Sequence, residues 1–215
     1  MMKVVLIRHG KTPGNLEKRY VGRTDEALSE TGRKELAKKA AAGSYPVIDR
    51  LILSPMLRCR QTAEILFGRE AVQTALIKED LREMDFGQFE YKNYEELNGD
   101  PAYQEYLDAG GFRDFPDGER LKDFEKRCVL SFQEALKIIE TKNMRGRTAL
   151  PDKAGASEEE PWKEPVVGAV LHGGTIMAIM NRLCTQKKNY FDWMLDNGAF
   201  YLCEWDGEKL CLQDV

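Results

Sequence analysis

The sequence predicts an α/β fold, a three-layer α/β/α domain. A mainly parallel sheet carries helices on both faces and a small helical cap. Three observations point there. Two apolar runs, residues 3–7 and 166–171, are continuous rather than alternating, as in strands covered on both faces. Strand and helix signals alternate along the chain. The 215 residues are 42% hydrophobic, enough for one sizeable core.

The first element is a buried strand over residues 3–7. "SETGRKELAKKAAAG" reads as a helix, with Ser29 as its cap and Gly43 at its end. "DRLILSP" holds a second short strand over residues 51–53. Ser54 and Pro55 then open a helix that ends at Gly68, "SPMLRCRQTAEILFG", with Ser54 as N-cap and Pro55 at the first helical position. A third strand falls on residues 75–77, and two or three short helices between 94 and 110. A longer helix over 121–140 lines up Phe124, Cys128, Phe132, Leu136 and Ile139 on one face. From 142 to 165 Pro, Gly, Ala and charge replace apolar periodicity, which predicts an exposed loop. The strand at 166–171 leads into a helix over 175–184. "AFYLCEWDGEKLCLQ" reads as a hairpin turning at Asp206-Gly207. The expectation is one domain, 1–215, with a cap insertion at about 86–120 and the loop at about 142–165.

Composition narrows the function classes. A net charge of −4 and a pI of about 5.5 argue against a general nucleic-acid binder. A small anionic substrate stays open, because a local arginine cluster can bind one inside an acidic protein. Five scattered cysteines, without a C-x-x-C pair, suit free thiols rather than a disulfide scaffold or zinc site. Neither a leader-like segment nor a membrane-length apolar run is evident, so a soluble, cytoplasmic protein without a membrane partner is expected.

Only two histidines occur, His9 and His172, and each ends an apolar run just before a glycine. Ser54 ends a third. Ligands of open α/β sheets bind outside the carboxyl ends of the strands, so three polar residues converge on one crevice. One such histidine alone reads as a structural residue; two in matching contexts weaken that reading.

Four ordered blocks, "RHGKTPGN", "LSPMLRCRQTA", "LREMDFGQFE" and "VLHGG", resemble the histidine phosphatase superfamily, of phosphoglycerate mutase-like fold. Within it the chain is similar to small bacterial phosphatases of the α-ribazole phosphatase or phosphoglycerate mutase-like type. The resemblance implies that His9 is a nucleophile, attacking phosphorus through an unprotonated nitrogen while a backbone carbonyl holds the other. It implies Arg8 and Arg58 as clamps on the phosphoryl oxygens, a task suited to the guanidinium fork. By residue type alone Arg60 rivals Arg58. His172 is implied as a further cation or donor on those oxygens, with Gly173 allowing close backbone approach. Glu83 matches the general acid, whereas spacing alone leaves Asp85 and Glu90 as rivals. Asn15 matches a phosphate-contacting asparagine. Thr12 and Gly22 are expected to line the same pocket, and Arg23 to reach substrate beyond the phosphoryl group, whereas Arg19 reads rather as surface charge.

The implied activity is metal-independent hydrolysis of small phosphate monoesters, α-ribazole 5'-phosphate among them, through a phosphohistidine. No metal and no cofactor are expected. The segment after Glu83 is acidic and aromatic, and Gly174 stands where the mutases have asparagine; both favour a phosphatase. The alternatives are a phosphoglycerate mutase and a non-catalytic phospho-ligand binding module. The expected partner is a small phosphorylated substrate, and a homodimer is an open option.

Overall fold

The computed structural model describes the backbone of residues 1–148 and 165–213, and the side chains of 1–142 and 165–213. In chain order the elements are β1 (Met2–Arg8), α1 (Pro13–Leu16), α2 (Glu30–Ala41), β2 (Arg50–Leu53), α3 (Leu57–Gln73) and β3 (Leu76–Ile77). There follow α4 (Pro101–Asp108), α5 (Leu121–Thr148), β4 (Val166–Leu171), α6 (Gly173–Leu183), β5 (Phe200–Trp205) and β6 (Leu210–Leu212).

The six strands lie in the order β3-β2-β4-β1-β5-β6. The pairs β3–β2, β2–β4 and β4–β1 are parallel; β5 joins β1 antiparallel, and β6 closes the hairpin. The fold class expected from the sequence is thus the one found, a mixed, mostly parallel sheet flanked by helices. Strand alternation explains why the apolar runs are continuous. Val4, Leu6, Val167, Ala169 and Leu171 pack into the core built with α5 and α6. Val5, Ile7, Leu51, Leu53 and Val170 pack into a second core with Cys59 and Ala63 of α3. A strand buried on both faces has no polar side to show.

Ser29 caps α2, its Oγ accepting the Gly32 N–H at 3.0 Å, and Gly43 leaves the helix at φ 66°. Phe124, Cys128, Phe132, Leu136 and Ile139 are all buried along α5.

Four expectations need correction. Ser54 does not cap α3. That helix starts at Leu57, whose N–H donates to Asp25 Oδ1 at 2.7 Å, because the Ser54 hydroxyl is taken by His172. Nor does α3 end at Gly68: the chain breaks there at φ 84° and resumes its helix to Gln73. Between 94 and 110 there is one helix, α4, opened by Asp100 and Pro101 and preceded by turns. The predicted loop at 142–165 begins too early: α5 runs on to Thr148, while 149–164 lie outside the described residues.

Of the five cysteines four are buried, and Cys211 on the edge strand is exposed. Among the described residues no helix is long and apolar enough to cross a membrane.

Candidate active site

The parallel register sets Arg8 of β1 beside Leu171 of β4, so His9 and His172 leave adjacent strands at the same level. The His9 N–H donates to Leu171 O at 3.0 Å, and the two rings meet edge to face with centroids 5.2 Å apart. Above them opens a cavity of about 280 Å³. His9, Arg8, Asn15, Glu83, Gly173 and Gly174 contribute to its wall.

The His9 ring has one defined partner. Its Nδ1 lies 2.7 Å from Gly10 O. A carbonyl oxygen only accepts, so Nδ1 carries the proton and Nε2 keeps its lone pair. Burial, together with the Arg58 and Arg8 guanidinium charges, holds the imidazole well below its ordinary range. It is therefore neutral at pH 7.

Asn15 and Asn197 flank this ring. Asn15 Oδ1 accepts the Thr12 N–H at 3.3 Å, and Asn197 Nδ2 donates to both His9 O and Asn15 Oδ1, at 3.0 and 3.1 Å. Both amides are fixed by groups with a single role, a backbone N–H and a backbone carbonyl. The Asn15 NH2 is thereby left for the cavity. Nothing local in the sequence marks Asn197, which lies 188 residues from His9.

Arg8 reaches the cavity without an ion-pair partner among the described residues, with Glu83 and Asp196 acting on its charge from farther off. Its Nη1 donates to Leu195 O at 2.5 Å and contacts Met194 Sδ at 3.4 Å, and its Nε is buried without a partner among the described residues. Gly173 permits this approach: a Cβ there would lie 3.3 Å from the guanidinium carbon.

Glu83 is buried, with 7% of its surface exposed. Its Oε1 accepts the Met84 N–H at 3.0 Å and its Oε2 the Gly174 N–H at 2.9 Å. These bonds favour the anion, yet desolvation outweighs them and the carboxyl sits above its usual range. A Cβ at Gly174 would collide with Glu83 Oε1, so only glycine admits the carboxyl to this end of α6. The Glu83 backbone is braced by Arg127, whose Nη2 donates to Glu83 O at 3.0 Å while Glu119 pairs with the same guanidinium. Asp85 pairs with Arg23 and Glu90 binds backbone amides, so neither rival shares the cavity wall with Glu83.

His172 and Arg58 lie one layer deeper. Both are fully buried, and neither lines the cavity. Arg58 Nε donates to His172 Nδ1 at 3.2 Å. A guanidinium never accepts, so His172 Nδ1 is unprotonated and its Nε2–H donates to Ser54 Oγ at 2.7 Å. The expected free donor on His172 is thus engaged in this arrangement, and burial beside Arg58 pushes the ring well below its ordinary range. The remaining Arg58 nitrogens donate to Thr24 O at 2.8 Å and Gly22 O at 2.9 Å. That carbonyl cradle is itself held by Glu90 Oε1, which accepts the Gly22 N–H, the Thr24 N–H and the Thr24 hydroxyl. Cys59 Sγ lies 3.6 Å from His172 Nε2, its thiol pushed up to about 12 by burial, so it stays unionised.

Three expected pocket residues sit elsewhere. Thr12 is buried and caps α1, its Oγ1 accepting the Asn15 N–H at 3.2 Å. Gly22 packs so closely on Met84 O that no Cβ would fit, and it has no face on the cavity. Arg23 is exposed and paired with Asp85, whereas Arg19 reaches the cavity rim. Among the described residues no three His, Cys, Asp or Glu side chains gather to hold a metal ion.

A strand-end histidine with a free nitrogen, an unpaired arginine and a buried carboxyl thus meet around one cavity. The profile of the histidine phosphatase superfamily, branch 1, matches residues 4–215, and the chain belongs to that family. Among curated relatives, a probable phosphoglycerate mutase GpmB from Enterobacter sp. (strain 638) is 29% identical over 143 residues, 65% of this chain and 66% of that one. The chain thus spans just under two thirds of the length of such relatives. Among solved structures, an alpha-ribazole phosphatase from Shigella flexneri superposes with a TM-score of 0.73 at 18% identity, covering 99% of this chain and 95% of that one. A phosphoglycerate mutase from Thermus thermophilus gives 0.62 at 24%, covering 97% and 96%. At these identities the likeness shows the fold.

Proposed function

We propose that this chain is a metal-independent phosphomonoesterase that works through a phosphohistidine on His9. The observation that supports it best is the meeting of three groups at one cavity: neutral His9 Nε2, the Arg8 guanidinium and the buried Glu83 carboxyl. Arg8 and the Asn15 NH2 bind the phosphoryl oxygens. His9 Nε2 forms a bond to phosphorus as the bond to the ester oxygen breaks. Glu83 gives its proton to the departing alkoxide, a role served by a raised carboxyl pKa. In the second half the Glu83 carboxylate takes a proton from water, the resulting oxygen bonds phosphorus, and the P–N bond breaks. Inorganic phosphate leaves with His9 neutral and Glu83 protonated again. Arg58 and His172 act from behind, Arg58 adding positive charge near the transferring group and His172 fixing its fork.

α-Ribazole 5'-phosphate is the candidate substrate drawn from the likeness to the Shigella flexneri structure. The test is release of phosphate from p-nitrophenyl phosphate in EDTA, alongside α-ribazole phosphate and both phosphoglycerates. Turnover that survives EDTA is expected. Activity lost in EDTA and regained with a divalent metal would sink the metal-free mechanism. Interconversion of the phosphoglycerates faster than phosphate release would replace the phosphatase by a mutase.

A further inference from the structure

The cavity that His9 and Glu83 line also carries an aromatic wall. Tyr20, Phe86, Tyr106 and Phe115 form a connected set: Tyr20–Phe86 centroids lie 5.2 Å apart, Phe86–Phe115 5.0 Å and Tyr106–Phe115 4.9 Å. Tyr190 and Phe191, 5.3 Å apart, add two more rings to the lining. The Tyr20 ring also stands 6.4 Å from those of Tyr103 and Tyr106, centroid to centroid.

Charge points the same way. Three arginines line the cavity. Arg19 is held by Glu17, Glu96 and Tyr91 O, each at 2.6 Å, and Arg113 is paired with Glu105 at 2.7 Å. Arg8 alone among them has no carboxylate within ion-pair distance among the described residues; Glu83 and Asp196 act on it only from farther off. One unpaired cation provides for one anionic group, the phosphoryl. A second anion on the substrate body would have to break an existing pair or stand against aromatic rings.

We infer that this wall is a leaving-group subsite for a flat, apolar, ring-bearing body without a second negative charge. The inference rests on the phosphatase reading for the phosphoryl end, but the subsite itself is defined by the rings. Phe112 backs it from outside, packing on Phe191 at 5.2 Å and on Tyr190 at 6.1 Å. It is carried there by Gly110 and Gly111, both at positive φ, and a Cβ at Gly111 would lie 2.9 Å from Phe191. Ring-on-ring contact and apolar burial favour an aryl body over a short alkyl one.

The test uses unreactive phosphonates, so that binding is read without turnover. Calorimetry on the full chain compares 2-(2-naphthyl)ethylphosphonate, butylphosphonate and 3-carboxypropylphosphonate. The naphthyl compound is expected to bind about ten-fold more tightly than butyl. The carboxylate compound should bind no more tightly than butyl. Phe191→Ala, at a 42% exposed position where the fold tolerates truncation, should cut the naphthyl preference to below about three-fold. Equal affinities for naphthyl and butyl, tightest binding of the carboxylate compound, or an unchanged preference in Phe191→Ala would each overturn the subsite. Phosphate release from p-nitrophenyl phosphate is scored separately. Its absence would defeat the phosphatase reading while the phosphonate series still decides on the subsite.

Discussion

The ends of β1 and β4 share one local pattern, an apolar strand followed by histidine and glycine, yet the two histidines are in opposite states. His9 has its proton on Nδ1, bonded to Gly10 O, and a free Nε2 beside a cavity. His172 has its proton on Nε2, bonded to Ser54 Oγ, and an Nδ1 filled by Arg58. The element after each histidine separates them. Beyond His9 the chain stays irregular until the short α1, whereas His172 is the N-cap of an eleven-residue helix set in the core. A strand end gives a side chain a mount; the next element decides whether that side chain faces substrate or structure.

The largest expected effect tests this division directly. His9→Ala should lower phosphatase turnover by about a thousandfold or more while changing stability by under about 1 kcal/mol. His172→Ala should also impair turnover, but it leaves Arg58 Nε and Ser54 unpaired in a buried space. It should cost about 2–4 kcal/mol in urea unfolding. A His9 variant less stable than the His172 variant would reverse the assignment.

Gly174→Ala comes next. The added methyl displaces the Glu83 carboxyl rather than the backbone, so turnover should fall about a hundredfold with a native circular dichroism spectrum. Unaltered turnover would mean that proton delivery does not depend on that seat.

Acid sensitivity treats the two histidines alike. Each has a folded pKa below its unfolded value near 6.5, so the unfolded chain binds the extra protons. Their contribution is present above pH 6.5 and is lost as pH falls below it, by about 1.4 kcal/mol per pH unit for each ring. Glu83 works in the opposite sense. Its folded pKa is raised, so its contribution is complete below 4.5 and lost as pH rises through the folded value. His9→Asn should therefore flatten the stability slope between pH 6.5 and 5.5 by one proton, measured by denaturation at each pH. An unchanged slope would mean that folded His9 takes up its proton over the same range as the unfolded chain, against a lowered folded pKa.

A smaller effect is expected at Asn197. Asn197→Asp can no longer donate to Asn15 Oδ1, so KM for a phosphate ester should rise about five- to ten-fold with kcat nearly constant. A fall in kcat alone would remove Asn197 from the binding arrangement. The mildest test perturbs nothing: with two histidines in the chain, a long-range ¹⁵N spectrum should show one Nδ1–H and one Nε2–H tautomer. Two identical patterns would abolish the contrast.

Strand placement, the α5 face and the C-terminal hairpin were legible in the sequence because each depends on local periodicity or on one turn. Of the expected site residues, His9 and Glu83 line the cavity, the latter singled out from Asp85 and Glu90 only by the family resemblance, whereas His172 ends its strand as expected but lies behind the cavity. The site's connections were not legible. The Ser54-Pro55 signal for a helix cap was outcompeted by His172, a partner 118 residues away. Thr12 and Gly22 belong to phosphate-like motifs yet serve capping and close packing. Asn197 and Arg127 act through contacts that exist only once the sheet register and α5 are fixed, and no spacing encodes them.

The Gly10 carbonyl has a consequence for the reaction cycle. A phosphoryl group arriving on Nε2 needs the ring proton on Nδ1, and the ring already holds it there before substrate binds. In the proposed cycle the imidazole therefore passes through both half-reactions with one proton in one place. No tautomer exchange is needed between turnovers, and the protons that move, one to the alkoxide and one from water, both pass through Glu83.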